Sequence, residues 1–283
     1  MLELLCTDLD RTLLPNGEQP ESDNARRLFT TLVSASHCKL AYVSGRDLGL
    51  MQQAISDYQL PLPDYAITDV GSMIYVRSGD SYLPLSSWQQ YLEAQWPGES
   101  SALAALLGEF TLLELQEDAR QKPFKLSYQI TPAKALSKAL DEVKSRLAEL
   151  AWPVNLIASV DETSDEGLLD LLPANAGKRA AIDFLVAELG LSDDAVFFSG
   201  DSGNDLDVLV SPYPSVLVKN AITDVVLQAM TRSKIAGLEE TLWVAQGDES
   251  LGLNGYYSAG IVEGLLYFYP ELESWLTVEQ DEQ

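Results

Sequence analysis

Leu4-Leu5-Cys6-Thr7-Asp8-Leu9-Asp10-Arg11-Thr12 is a short apolar run that delivers two aspartates two residues apart and then a hydroxyl. In an extended chain alternate residues point the same way, so Asp8 and Asp10 face one site at the end of a strand, beside free backbone carbonyls. Two like charges so placed repel unless a cation sits with them. Nucleophilic catalysis by a carboxylate wants this pairing: Asp8 attacks, and Asp10 moves the proton as acid and then as base. Asp-x-Asp is also ordinary turn chemistry after a strand, and these few residues alone leave both readings open.

Working outward, the chain has 283 residues, 46% of them apolar and 22% charged, which suits a folded protein with one large core or two smaller ones. No apolar run approaches the roughly 18 residues of a membrane span. The first residues lack the basic cluster and apolar length of a signal peptide, so a cytoplasmic protein with no membrane partner is expected. The net charge of −25 argues against nucleic acid and anionic membranes, which need a basic footprint. It also opposes the approach of an anionic substrate, so a metal and a few placed Lys or Arg must reverse the sign locally. Cys6 and Cys38 are too few for a disulfide framework and read as buried free thiols. The single histidine, His37, precedes the strand Lys39 to Val43 and lies about 20 Å from its far end at ~3.3 Å per residue. Ser-His-Asp, Cys-His and His-rich zinc sites are thereby excluded.

After the opening strand, Ala25, Leu28, Phe29, Leu32 and Val33 give helical spacing to Glu21–Ser34. The strand Lys39–Val43 ends in Ser44-Gly45-Arg46, where a hydroxyl, a permissive glycine and a guanidinium open a helix from about Asp47 to Ser56. That arrangement suits an anion at a helix start, and it equally suits a plain N-cap serine. Tyr65–Thr68 and Ser72–Val76 read as strands. From Gly79 onward helices (Trp88–Trp96, Ser101–Leu107, Ala133–Leu150) mix with extended segments (Thr111–Leu115, Phe124–Ile130, Val154–Ala158, Leu168–Leu172), which suggests an inserted α+β domain. Alternation then resumes with a helix from Gly177-Lys178 to Leu189, the apolar strand Ala195–Phe198, the loop Gly200-Asp201-Ser202-Gly203-Asn204-Asp205, a strand at Val216–Val218, and helices Ile222–Met230 and Tyr256–Tyr267. Glu271–Gln283 reads as an acidic tail. The expected fold is α/β: a parallel-sheet, Rossmann-like core with helices on both faces, from residues 1–78 and 173–283, plus a smaller α+β cap at 79–172.

In such a sheet every strand's carboxyl end lies on one edge, and that edge holds the ligand. Asp8, Asp10, Ser44, Arg46 and Asp201 each follow an expected strand, so they converge. Three carboxylates and backbone oxygens without a nearby thiolate or imidazole describe a hard-cation site, and Mg2+ is its ordinary occupant. The loop Gly200–Asp205 alone is also compatible with an acidic surface turn.

The set DLDRT, VSGR, GKRAA and GDSGND, in this order, resembles the four motifs of the haloacid dehalogenase-like phosphohydrolase superfamily, in its class with an α+β cap. Within that class the chain is similar to sucrose-phosphate phosphatases and related sugar-phosphate phosphatases, through Lys125-Leu-Ser-Tyr128, Leu169-Asp-Leu-Leu-Pro173 with Gly177-Lys178, and Val218-Lys-Asn-Ala221. The resemblance implies that Asp8 forms an aspartyl phosphate and that Asp10 is general acid, then base. It implies Ser44, Gly45, Arg46 and Lys178 around the phosphate, and Asp8, Asp10 (through its carbonyl), Asp201 and Asp205 around Mg2+, with Asp205 supporting Lys178 or the metal's waters. Lys125, Asn204 and Asn220 would meet the substrate. Arg11 stands where a glycine is common in this superfamily, Arg179 where a second glycine is usual in the sucrose-phosphate group, and Asp69 where a small or polar residue is frequent.

Releasing a sugar alkoxide needs a proton donor, whereas expelling a halide or the diphosphate of ATP does not. Asp10 therefore favours phosphate-ester hydrolysis over dehalogenation or ion pumping. The expected substrate is a small phosphorylated sugar, sucrose 6-phosphate first, with mannosylfructose, glucosylglycerol or hexose phosphate as alternatives. A phosphomutase uses the same pair, and a silent phosphosugar-binding protein would leave the carboxylates, Lys178 and Arg46 without a purpose. A monomer or weak homo-oligomer is expected. In the strand from Lys125, the residues Lys125, Ser127 and Gln129 share one face; Lys125 either aims its ammonium at sugar hydroxyls or is a solvated edge lysine.

Overall fold

A computed structural model describes residues 1–96, 100–117, 121–149, 153–161 and 165–278. The first half of the larger unit is β1 (Leu4–Thr7), α1 (Ala25–Ser36), β2 (Lys39–Val43), α2 (Leu48–Asp57), β3 (Tyr65–Thr68) and the hairpin β4 (Met73–Ser78) and β5 (Ser81–Pro84), followed by α3 (Ser86–Glu93). The inserted segment holds α4 (Ser100–Leu107), β6 (Glu114–Leu115), β7 (Leu126–Ile130), α5 (Leu136–Glu149), β8 (Val154–Asp161) and β9 (Glu166–Pro173). The chain returns through α6 (Lys178–Leu189), β10 (Val196–Gly200), α7 (Leu206–Leu209), β11 (Ser215–Leu217), α8 (Thr223–Ala236), β12 (Leu242–Val244), α9 (Ser258–Phe268) and α10 (Glu273–Val278).

The larger sheet runs β12-β11-β10-β1-β2-β3-β4-β5, parallel from β12 to β3 and antiparallel in the last two pairings. β1 sits in its middle because all four of its residues are buried and it has apolar groups for both faces. Leu5 points into the layer shared with α1 and α9, whereas Leu4 and Cys6 point into the layer under α3, α6 and α8. Helix α1 docks through Ala25, Leu28, Phe29 and Leu32, an i, i+3, i+4, i+7 stripe, and stops at His37, which adopts φ 53° and is exposed. No helix among the described residues is long and apolar enough to cross a membrane.

The second sheet, β6-β7-β9-β8, is antiparallel. One face of it buries Leu126, Tyr128, Ile130, Leu169 and Leu171 against Leu103, Leu107, Val143 and Leu147 of α4 and α5. This is the α+β cap of the fold. The boundary expected at 79 needs correction: β5 completes the larger sheet, and Trp88 and Leu92 of α3 are buried in its α6-side layer, so the segment to about residue 96 packs with the core. The alternating pattern of β5 is too short and too exposed to mark it in the sequence. Two further differences have local causes. Helix α8 continues past Met230 to Ala236, where Gly237 at φ 68° ends it. The start of the expected acidic tail forms α10, because Leu272 and Leu276 are buried in the α1–α9 layer; residues 279–283 lie outside the described residues.

A turn after β3 positions the catalytic edge. Asp69, Val70 and Gly71 have φ of 52°, 60° and 93°, and this left-handed run is tied down by Asp69 N to Arg46 O (2.9 Å) and Val70 N to Ser44 O (3.1 Å). A Cβ on Gly71 would lie 2.3 Å from the carbonyl carbon of Gly177, so the turn rests directly on the peptide before Lys178.

Candidate active site

At the carboxyl edge, pairing of β1 with β10 continues one residue past the strand, with Asp8 N donating to Ser199 O at 2.9 Å. The chain then turns sharply, the amides of Thr12, Leu13 and Leu14 all donating to Leu9 O. Arg11 takes φ 59° in this turn, which is the reason glycine suits that position. Next door, Gly200 leads to Asp201 and to the turn Gly203–Asp205. Asp205 folds back so that its Oδ2 accepts from Asp201 N (3.1 Å), Ser202 N (3.0 Å) and Ser202 Oγ (3.1 Å). A Cβ at position 200 would come within 2.6 Å of the Asp205 carboxyl carbon, so only glycine admits this fold-back.

Lys178, the first residue of α6, reaches into the same corner. Its Nζ lies 3.0 Å from Asp8 Oδ1 and 2.8 Å from Asp205 Oδ1, with 1% of its side chain exposed. Asp8, Asp201 and Asp205 each place a carboxylate oxygen within 4.8 Å of the other two, and all three are buried. Thr12 Oγ1 donates to Asp201 Oδ1 at 3.2 Å, and Arg11 Nε stands 3.5 Å from Asp201 Oδ2. Burial, reinforced by Asp205, pushes the Asp201 carboxyl up to about 7, and burial pushes Asp8 well above the usual carboxylate range against the pull of Lys178. Burial opposes the charge on Lys178, but Asp205 and Asp8 outweigh it and hold the ammonium protonated. Crowded oxygen-only donors at a cost in desolvation fit a hard divalent cation.

Asp10 stands beside this group and is turned to other partners. Its Oδ2 accepts from Arg46 Nε at 2.8 Å, and its Oδ1 accepts from Arg46 Nη2 at 2.6 Å and from Asn16 Nδ2 at 2.7 Å. Burial works to raise the Asp10 carboxyl, but the Arg46 and Asn16 hydrogen bonds and the Arg46 charge hold it below its ordinary value.

The expected site residues therefore fall into two groups. Asp8, Lys178, Asp201 and Asp205 meet, while the Asp10 carboxylate is held outside the acidic trio. Ser44 is fully buried and its Oγ accepts from Arg46 N at 3.1 Å; the N-cap of α2 is Asp47, whose Oδ1 accepts from Leu50 N at 2.9 Å. Gly45 lies exposed on the edge. Two expectations are corrected. The Arg46 guanidinium grips Asp10 instead of standing free for phosphate, because a planar fork matches a carboxylate two-to-two. Asn220 is 5% exposed, and both ends of its amide are used within the fold, Nδ2 donating to Arg11 O (2.6 Å) and Oδ1 accepting from Tyr257 N (3.0 Å), so it is a brace for the Asp10 turn. Asn204 Oδ1 accepts from Ser202 Oγ at 2.9 Å, and its residue lines an open groove of about 800 Å³ beside α6. Lys125 is no edge lysine: 7% of its side chain is exposed, and its Nζ lies 3.5 Å from Asp69 Oδ1 and 4.0 Å from Asp170 Oδ1, across the junction of cap and core.

Sequence reasoning missed Thr12, Arg11 and Asn16. The departure from glycine at 11 was the available signal for a left-handed turn, whereas Asn16 looked like loop chemistry in Leu14-Pro-Asn-Gly17.

With this geometry in view, residues 1–269 match the family model described as sucrose-6F-phosphate phosphohydrolase. The chain belongs to that family. Its members are phosphoric monoester hydrolases of the HAD-like superfamily, and this chain is an enzyme of that kind. Among its relatives, a Nitrosococcus oceani protein assigned only to the HAD-like hydrolases is 43% identical over 99% of this chain and 75% of its own length. The mannosylfructose-phosphate phosphatase of Agrobacterium fabrum is 27% identical over 89% of this chain and 98% of its own. A glucosylglycerol-phosphate synthase of Pseudomonas anguilliseptica is 33% identical over 76% of this chain, which spans 26% of that relative. Among solved structures, the sucrose-phosphatase of Synechocystis sp. PCC6803, in complex with sucrose and phosphate, superposes with a TM-score of 0.73 at 25% identity, over 95% of this chain and 98% of that one.

Proposed function

We propose that this member of the family is a Mg2+-dependent phosphatase of a phosphorylated sugar that works through an aspartyl phosphate on Asp8. The observation that carries the reading is Lys178 bridging Asp8 and Asp205 beside Asp201, at the end of the central strand. Asp8 attacks phosphorus, the bond from phosphorus to the sugar oxygen breaks, and Asp10 gives that oxygen its proton. Asp10 then takes a proton from the water that releases phosphate from Asp8. Lys178 orients Asp8 and offsets charge gathered on the phosphoryl oxygens. Asp8, Asp201, Asp205 and the Asp10 carbonyl would hold the Mg2+, whose chemistry there is to neutralise phosphoryl charge in a chain of net charge −25. Ser44 and Gly45 border the phosphate, and the cap closes over the leaving group.

For the sugar, sucrose 6-phosphate is the first choice, supported by the family match over 1–269 and by likeness to the Synechocystis enzyme. Mannosylfructose phosphate is the second reading, supported by near full-length coverage of the Agrobacterium enzyme. The test is phosphate release from a panel of phosphorylated sugars, with Mg2+ and in excess chelator. Release is expected from one disaccharide phosphate above the rest and only with Mg2+; full turnover in chelator would sink the mechanism.

Substrate choice belongs to the cap, since the core edge recognises a phosphoryl group whatever carries it. Lys125→Ala is expected to lower kcat/KM for the preferred sugar phosphate by about tenfold or more, the worth of one charge-assisted hydrogen bond. Hydrolysis of a small aryl phosphate should barely change. Equal losses on both substrates would mean that Lys125 serves only its pairs with Asp69 and Asp170.

A further inference from the structure

The Asp10 carboxylate offers about four lone-pair positions, two on each oxygen. Oδ1 is filled by Arg46 Nη2 and Asn16 Nδ2, and Oδ2 receives Arg46 Nε alone. We infer that Asn16 and Arg46 form a clamp that commits Oδ2 of Asp10 to proton transfer and fixes its direction, making both of them positioning residues for the leaving group. The inference rests on the acid role proposed for Asp10 and goes beyond it.

The clamp is itself held. Asn16 Oδ1 accepts from Arg11 N at 2.7 Å, and because that amide can only donate, the Asn16 amide can turn only its NH2 toward Asp10. Arg11 O is gripped by Asn220 Nδ2 at 2.6 Å, and Asn220 is anchored by Tyr257 N at the start of α9. The turn that carries Asp10 is thus fixed from 209 residues away in sequence. On the opposite side, Arg46 follows β2, so its fork and Asp10 come from neighbouring strands. When the bond from phosphorus to the leaving oxygen breaks and the Asp8 oxygen bonds phosphorus, the proton on Oδ2 passes to the leaving oxygen. Oδ2 can carry that proton with all three clamp bonds intact; Oδ1 cannot.

Asn16 is exposed, so its removal should cost the fold little. The test compares Asn16→Ala, Arg46→Lys and Asp10→Asn with the parent enzyme on phenyl phosphate, whose leaving group needs a proton, and 2,4-dinitrophenyl phosphate, whose leaving group does not. The readout is kcat/KM, which reports events up to phosphoryl transfer to Asp8. Asn16→Ala and Arg46→Lys are each expected to lose about 30-fold on phenyl phosphate and less than about threefold on the dinitro ester, against the hundredfold or more of full acid catalysis. Equal losses on both esters would overturn the clamp, making Asn16 a loop strut and Arg46 a phosphate ligand. If Asp10→Asn itself loses both esters equally, the acid role falls and the clamp with it; if Asp10→Asn is selective and the clamp variants are not, only the clamp is overturned.

Discussion

Asp8→Asn is expected to lower turnover by about a thousandfold or more while the fold survives. The amide occupies nearly the same volume and cannot form the acyl phosphate. Its structural cost is small because Asp8 is one of three buried carboxylates whose oxygens lie within 4.8 Å, so neutralising one relieves repulsion as it loses the contact with Lys178. Phosphate release and a thermal melt on the same preparation check both halves. Turnover near that of the parent enzyme would end the covalent mechanism.

Lys178→Met should damage both activity and stability. Lys178 Nζ touches Asp8 and Asp205 at 3.0 and 2.8 Å in a corner where the partners' side chains are 7% and 0% exposed. Removing one partner of such a buried set leaves uncompensated charge, at a cost of about 3–5 kcal/mol. That corresponds to a melting temperature lower by roughly 10 °C. Added Mg2+ should recover more of the loss in Lys178→Met than it adds to the parent, because it would supply cationic charge to the same oxygens. Calorimetry with and without Mg2+ decides the matter: an unchanged melt would show that Lys178 is not the counter-charge holding this corner together.

Much of this corner was legible in the sequence because it depends on local rules. A short apolar strand followed by Asp8, and another followed by Asp201, must end on the same edge of a parallel sheet whatever the loops do. Lys178 was legible as the first residue of a helix opened by glycine. Arg46 was not, because a guanidinium beside an anion site has two kinds of partner, phosphate and carboxylate, and only the register of β1 against β2 brings Asp10 within 2.6 Å of it. Asn220 failed for a related reason: its partner is a main-chain carbonyl 209 residues away, and main-chain groups leave no mark on composition or spacing. The hairpin β4–β5 lacked a periodic signal because its outer strand is mostly exposed, so the end of the larger sheet was placed too early.

The contact between Gly71 and Gly177 narrows what this chain can become. Position 71 combines a φ of 93° with a neighbouring main chain at 2.3 Å from any added carbon, so its tolerated alphabet has one letter. A methyl group there would wedge the first turn of α6 outward, and the displaced residue would be Lys178. Variation around this turn is therefore channelled to the side chains of Asp69 and Val70, and a lineage is free to retune how the cap's Lys125 meets the core without the spacing of the phosphate corner drifting with it.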